Sequence, residues 1–363
     1  MKLTTSIGEK IVLDNPLMPA SGPLVGDPEK IRYLERQGLG GLVTKTISSV
    51  AANVPHPCII GGSDYIINAE LWSEYPPEQW ENEFLPSLES LKQPLFISLG
   101  YKREEIVKLI QRFNRFATAF ELSTHYVGTS LEPIAKTVRA AADTTDKPVF
   151  IKMSPHIPDP VAFAQMVKEN GGYGIVAINS VGPTYPVDLE AGKSRLGSSE
   201  GFGWISGPVI KPIALSKIRT VAKHVSIPII GVGGIKTADD VLEFIAAGAS
   251  AVQMLSSAML YGRDLYSKII GKLPERMKEL NIENLDAFKG SALKENNTTV
   301  YETQYPLFDH EKCTLCRICV NNCPYFALEV KGGEVTIDKE KCFKCGLCQS
   351  RCPVSAISGV LDG

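Results

Sequence analysis

The chain has 363 residues, which fits one large α/β domain with an appendage or two to three ordinary domains. Apolar residues make up 44% and charged residues 21%, which excludes wholesale disorder, and with a net charge of −2 nothing marks the whole chain as a nucleic-acid or membrane-surface binder, so neither partner is expected. No apolar run reaches the roughly 18 residues of a membrane span, and the N-terminal stretch has no apolar signal-peptide core. A cytoplasmic protein with reduced thiols is expected.

Eight short apolar runs alternate with longer amphipathic stretches. Strands are expected at residues 16–20, 41–45, 94–100, 117–123, 148–152, 174–179, 228–232 and 249–253. Helices are expected after several of them, at 102–116, 131–142, 208–225 and 237–247. Strands that are apolar almost throughout and alternate with helices indicate a parallel sheet buried on both faces. Eight of them give an α/β fold of the (β/α)8 TIM-barrel type, with a doubly wound open sheet as the alternative. The segments 47–92 and 181–206 are too long for plain connections and are expected to cover the barrel mouth.

In a barrel the chemistry sits at the C-terminal ends of the strands. Those ends carry Ala20-Ser21-Gly22, Lys45-Thr46, Ser123, Lys152, Asn179-Ser180, Gly233-Gly234 and Ser256-Ser257. Glycines after the seventh strand and serines after the eighth offer backbone amides to a phosphate. The fingerprint G-x-G-x-x-G is absent, so no nicotinamide site is expected. Lys152 ends the run Val149-Phe150-Ile151-Lys152. It either snorkels out of the barrel or sets a cation beside a bound flavin. Glu121, inside a strand, is either a cofactor's hydrogen-bond partner or a paired core charge.

The C-terminal region is different. Eight of the nine cysteines lie between Cys313 and Cys352, and only Cys58 precedes them. That lone residue reads as a reactive thiol or a small buried hydrophobe. The run Cys313-x2-Cys316-x2-Cys319-x3-Cys323-Pro324 recurs as Cys342-x2-Cys345-x2-Cys348-x3-Cys352-Pro353, with Lys331-Gly332-Gly333-Glu334 between them as a hairpin turn. This is the bacterial ferredoxin spacing, in which the fourth cysteine of each run serves the other cluster. It assigns Cys313, Cys316, Cys319 and Cys352 to one [4Fe–4S] cluster and Cys342, Cys345, Cys348 and Cys323 to a second. Structural zinc does not explain the doubled pattern. The domains are therefore 1–303, a TIM barrel, and 304–363, a bacterial-type 2[4Fe–4S] ferredoxin domain. Iron–sulfur clusters move single electrons, so two-electron chemistry in the barrel calls for a flavin.

The stretches Asn15-Pro-Leu-Met-Pro-Ala-Ser-Gly22, Val43-Thr-Lys-Thr46, Asn68-Ala-Glu-Leu71, Ile151-Lys-Met-Ser-Pro155, Ala177-Ile-Asn-Ser180 and Gly231-Val-Gly-Gly234 resemble the class 1 dihydroorotate dehydrogenase family. Within it they look most like the flavin-and-ferredoxin part of dihydropyrimidine dehydrogenase, particularly its bacterial iron–sulfur subunit. The resemblance implies FMN held by Ala20, Ser21, Lys45, Thr46, Ser123, Lys152, Ser206, Gly207, Gly233, Gly234 and Ser256. It implies a planar pyrimidine at Asn68, Asn179 and Ser180, whose groups both donate and accept hydrogen bonds. The family's Asn-x-Ser-Cys-Pro signature is replaced by Glu121-Leu-Ser-Thr-His-Tyr126. His125 and Tyr126 are the local candidates for the proton donor in place of the missing cysteine, and His156 stands where the family often has asparagine.

The expected function is an FMN- and iron–sulfur-dependent oxidoreductase acting on a C=C bond, uracil or thymine first among substrates, another unsaturated amide or carbonyl compound next. Dihydroorotate oxidation is one alternative. An electron-transfer subunit without independent catalysis is another. The expected partner is an electron donor, either a subunit using NAD(P)H and FAD or a soluble ferredoxin, and homodimer formation is a further expectation.

Overall fold

The computed structural model describes residues 2–124, 130–294 and 304–361. It divides into two units, Met1–Lys294 and Glu295–Gly363. The boundary expected at 303/304 follows a stretch, 295–303, outside the described residues. No helix among the described residues is long and apolar enough to cross a membrane.

In the first unit the eight expected strands form: β1 (Leu17–Pro19), β2 (Leu42–Val43), β3 (Leu95–Leu99), β4 (Ala119–Leu122), β5 (Val149–Met153), β6 (Gly174–Ala177), β7 (Ile229–Val232) and β8 (Ala251–Met254). They make one parallel sheet in the order β1-β8-β7-β6-β5-β4-β3-β2. The two ends meet where the Gly40 N–H donates to the Leu17 carbonyl at 3.0 Å and the Asn15 side-chain amide donates to the Gly38 carbonyl at 2.8 Å. A Cβ at Gly40 would stand 1.9 Å from the Asn15 carbonyl oxygen, so closure requires glycine there. The ring excludes the open doubly wound sheet.

Residues along each strand alternate between two hydrophobic clusters, as a period of two dictates. Met18, Val43, Phe96, Ala119, Phe150, Val176, Ile230 and Ala251 fill the barrel interior. The antiparallel pair Thr5–Ile7 and Ile11–Leu13 adds Ile7, Ile11 and Leu13 to that cluster. Their outward neighbours, such as Ile97, Phe120 and Ile151, pack with helix residues including Ile106, Val138 and Phe163. The apolar stripes of these helices supply the outer layer.

Segments 47–92 and 181–206 together build a second sheet. Its four antiparallel strands run Val181–Thr184, Gly203–Ser206, Ile66–Asn68 and Ile59–Gly61 in spatial order. Trp204 pairs with Asn68 and Ser206 with Ile66, and Ile67, Ala69 and Leu196 form a small core of their own.

The second unit is two similar halves. The Asp309 carboxylate accepts from the N–H groups of Glu311 and Lys312, and Asp338 does the same for Glu340 and Lys341. Leu315, Arg317 and Phe326 have left-handed backbone (φ 55°, 62° and 52°), matched by Lys344, Gly346 and Ser355 (56°, 82° and 50°). Between the halves, Leu328–Lys331 pairs with Glu334–Ile337 across Gly332 and Gly333, both at positive φ, which is the expected hairpin.

Candidate active site

A cavity of about 700 Å³ opens at the C-terminal ends of the barrel strands, with the four-stranded sheet forming one wall. Strand ends deliver most of its polar lining: Ala20 and Ser21 after β1, Lys45 and Thr46 after β2, and Ser123 after β4. Lys152 comes from β5, Asn179 and Ser180 follow β6, Gly233 and Gly234 follow β7, and Ser256 follows β8. Asn68, Ser206 and Gly207 arrive from the added sheet. The structure thus gathers the residues expected around a flavin and a pyrimidine into one space. His156 lines it too. His125 and Tyr126 lie outside the described residues, next to cavity-lining Thr124.

Hydroxyl pairs stand at two places on the rim. Ser21 Oγ and Thr46 Oγ1 are 3.0 Å apart, and Thr46 continues to Ser98 Oγ at 2.9 Å. Ser206 Oγ and Ser256 Oγ are 2.8 Å apart. Beside that second pair the backbone is stripped of side chains. Gly207, Gly233 and Gly234 have φ of 100°, 126° and 88°. A Cβ at Gly234 would lie within 3.0 Å of Lys211 and of the Gly207 carbonyl oxygen. The turn is anchored by Asp240, whose carboxylate accepts from the N–H groups of Lys236 and Thr237, the Thr237 hydroxyl and Lys211 Nζ (2.5 Å). Burial pushes the Asp240 pKa up, but Lys211 and these donors outweigh it and hold the carboxyl below the ordinary range.

Both lysines of the cavity are ion-paired. Lys45 Nζ donates to Glu74 at 2.7 Å and stands 3.7 Å from Glu70. Burial pushes the Glu70 carboxyl above its usual range against the pull of Lys45. Lys152 Nζ donates to Glu121 at 3.1 Å. Glu121 is therefore a paired core charge. Asn179 Oδ1 accepts from the Ser180 N–H at 2.8 Å, which fixes the amide and leaves its NH2 end to a ligand. Asn68 Nδ2 donates to the Trp204 carbonyl at 3.2 Å.

Several lining residues escaped sequence reasoning. Glu70, Trp72, Tyr101, Trp204 and Gln253 all line the cavity, and the rings of Trp72 and Tyr101 meet at an angle of 60° with centroids 4.9 Å apart. One signal existed: Gln253 interrupts the apolar strand Ala251–Met254. Cys58 is half-buried, and burial together with the Glu70 charge pushes its thiol pKa up, the opposite of an activated thiolate.

The donor set fits FMN. Thr124 Oγ1, Gln253 Oε1 and Ser257 Oγ are buried without a partner in the cavity wall. A ligand rich in hydroxyls and carbonyls supplies what they lack. The glycine turn admits the close backbone approach a phosphate needs.

In the second unit, Cys313, Cys316, Cys319 and Cys352 line one small cavity, and Cys323, Cys342, Cys345 and Cys348 line another. Each cavity takes its fourth cysteine from the other run. Among the described residues no three His, Cys, Asp or Glu side chains converge on a point as one ion requires. Thiols spread around a cavity suit a multi-iron cluster.

Residues 3–277 match the family model for dihydroorotate dehydrogenase, and residues 298–356 match that for a 4Fe-4S dicluster domain. Relatives described as the catalytic subunit of dihydroorotate dehydrogenase B (NAD(+)) include one from Pyrococcus abyssi, 34% identical over 297 residues, 78% of this chain and 97% of the relative. Another, from Anoxybacillus flavithermus, is 32% identical over 303 residues, 80% of this chain and 95% of its own. A third, from Listeria monocytogenes, is 31% identical over 290 residues, 76% and 94% of the two chains. A match this long, on a barrel whose mouth gathers these side chains, has one meaning: the chain belongs to the dihydroorotate dehydrogenase family, a family of FMN flavoproteins, here joined to a 4Fe-4S ferredoxin domain.

Proposed function

We propose that this chain is an FMN- and iron–sulfur-dependent oxidoreductase that interconverts the CH–CH and C=C forms of a pyrimidine ring, dihydroorotate and orotate being the first pair to test. The observation that carries it is the meeting of Asn68, Asn179 and Ser180 with Lys152 and the glycine turn in one cavity. The sequence alone ranks uracil or thymine ahead of dihydroorotate; the activity named for the relatives reverses that order.

A specific observation keeps the neutral pyrimidines as the second reading. Lys45 and Lys152 are both engaged by carboxylates, so neither stands as a free counter-charge for the carboxylate of orotate. Uracil, thymine or another unsaturated amide requires none. The fused ferredoxin domain and the likeness to bacterial dihydropyrimidine dehydrogenase point the same way.

Bound FMN supplies hydride transfer to or from a substrate carbon. In this reading Gly207, Gly233, Gly234, Ser206 and Ser256 hold its phosphate, and Ala20, Ser21, Lys45, Thr46 and Ser123 line its remaining length. Lys152 offers a cation to the charge of the reduced ring. Asn68, Asn179 and Ser180 orient the substrate ring. Only Cys58 precedes Cys313, so a proton must move through another group. We assign it to Tyr126 or His125; a phenol is neutral near pH 7 and able to donate. Tyr126→Phe should slow turnover by about 10²-fold if the phenol is the donor. A full-rate variant would pass the role to His125. The two cysteine cavities hold the [4Fe–4S] clusters, which exchange electrons with a partner, either a subunit using NAD(P)H and FAD or a ferredoxin.

The test is anaerobic reoxidation of the dithionite-reduced holoenzyme by orotate, uracil, thymine and a panel of enones and enoates, followed at the visible flavin band. Rapid recovery with orotate supports the first reading, and with uracil or thymine the second. Recovery with no compound would overturn both and leave an electron-transfer subunit.

A further inference from the structure

We propose that Glu121 sets the reduction potential of the bound flavin by neutralising Lys152 from behind the cavity wall. The inference rests on the reading of Lys152 as the cation beside FMN.

Strand periodicity creates the arrangement. Ala119, Phe150 and Ala251 belong to the interior cluster of the barrel. Two residues further along the same strands, on the same face, come Glu121, Lys152 and Gln253. Glu121 is 0% exposed. One carboxylate oxygen accepts from Lys152 Nζ at 3.1 Å, and the other accepts from Gln253 Nε2 at 2.7 Å. Gln253 reaches Glu121 from β8, which lies four strands from β4 in the ring. Lys152 and Gln253 line the cavity and Glu121 does not, so Glu121 is a positioning residue acting through both.

Its action is electrostatic. Two electrons and one proton convert oxidised flavin to the reduced anion. A cation beside the ring favours that conversion, and an anion opposes it. Lys152 alone would present a full charge in a poorly screened interior. With a carboxylate against it, the cavity meets a dipole, so Glu121 holds the potential below the value Lys152 would set. The carboxylate also orients Gln253. It accepts only, so the amide must turn its NH2 inward. Gln253 Oε1, buried without a partner, then faces a ligand as an acceptor, and a ribityl hydroxyl is the class of donor that answers it.

The test is an anaerobic spectroelectrochemical titration of the holoenzyme, with the flavin followed in the visible and the clusters by low-temperature electron paramagnetic resonance. Glu121→Gln should raise the reduced-to-oxidised flavin ratio at a fixed potential at least tenfold, about 30 mV for a two-electron couple. Cluster potentials should not move. Lys152→Met should shift the flavin the other way, and Glu121→Gln added to it should recover part of that fall, because it removes a carboxylate that nothing then offsets. If Lys152→Met leaves the potential unchanged, the reading of Lys152 fails. If Lys152→Met lowers it while Glu121→Gln does nothing, the inference about Glu121 alone is overturned. Equal loss of FMN affinity in both oxidation states also overturns it, because that marks a purely structural role. Should Glu121→Gln not fold, Glu121→Asp withdraws the charge by one methylene and should give a smaller rise; an unmoved potential there is equally decisive.

Discussion

The two units prepare redox sites by opposite means. The barrel unit has a large apolar core of its own, with Phe96 and Phe150 buried inside the ring and Trp80, Phe113, Phe120, Phe163 and Phe244 buried in the layer around it, and its cavity lies at the C-terminal ends of the strands. The C-terminal unit has a core of Cys319, Leu328, Val335 and Ile357, against which Cys313, Cys323, Cys348 and Cys352 pack. Five of its eight clustered cysteines thus belong to or pack on its core. A domain this small rarely buries enough apolar surface to stand alone. The expectation is that metal binding and folding are one event in the second unit and separate events in the first.

Removing iron breaks the comparison most directly. Anaerobic chelation should abolish hydrogen-exchange protection across Leu328–Lys331 and Glu334–Ile337 while β3 and β5 keep theirs. A hairpin that stays protected without iron would show that the second unit folds on its apolar residues alone. Next in size is Phe120→Ala, which should cost about 3–5 kcal/mol of barrel stability in urea. Iron content should be unchanged, because Phe120 packs within the barrel unit.

A smaller effect is expected of Asp240→Asn, about 2 kcal/mol, from weakened charge-assisted bonds at the glycine turn. FMN affinity should fall with it. The pH dependence has a definite sign. The folded carboxyl is held below its ordinary value, so its stabilisation is complete above the unfolded pKa of about 3.9 and is lost as pH falls through the lower folded value. Wild type and variant should converge in stability only once pH has fallen below that lower folded value. Smallest is Asn179→Ala, which should raise KM about tenfold with FMN content unchanged. A loss of flavin instead would move Asn179 from the substrate to the cofactor.

Much of this was legible in the sequence, for physical reasons. Strands buried on both faces are apolar almost throughout, so β3 and β5 stand out. Cysteine spacing is local, so three thiols of each set are written in one stretch of chain, and the doubled run supplies the fourth. Partners distant in sequence were not legible. Glu121 and Lys152 were visible as polar residues in apolar strands, but their pairing, and Gln253 as the third member, follow only from ring closure. The sheet joining Ile66–Asn68 to Gly203–Ser206 depends on a register between two insertions that neither encodes alone. That register brings Trp204 to the cavity.

The crossed placement of Cys323 and Cys352 has a consequence for biosynthesis. The first cavity lacks its fourth thiol until Cys352, 33 residues beyond Cys319, has left the ribosome. A nascent chain that has released Cys319 cannot yet enclose a cluster. Iron loading of the first cavity thereby waits on synthesis of the second cysteine run, and a message truncated before Cys352 yields a protein whose first cavity never closes.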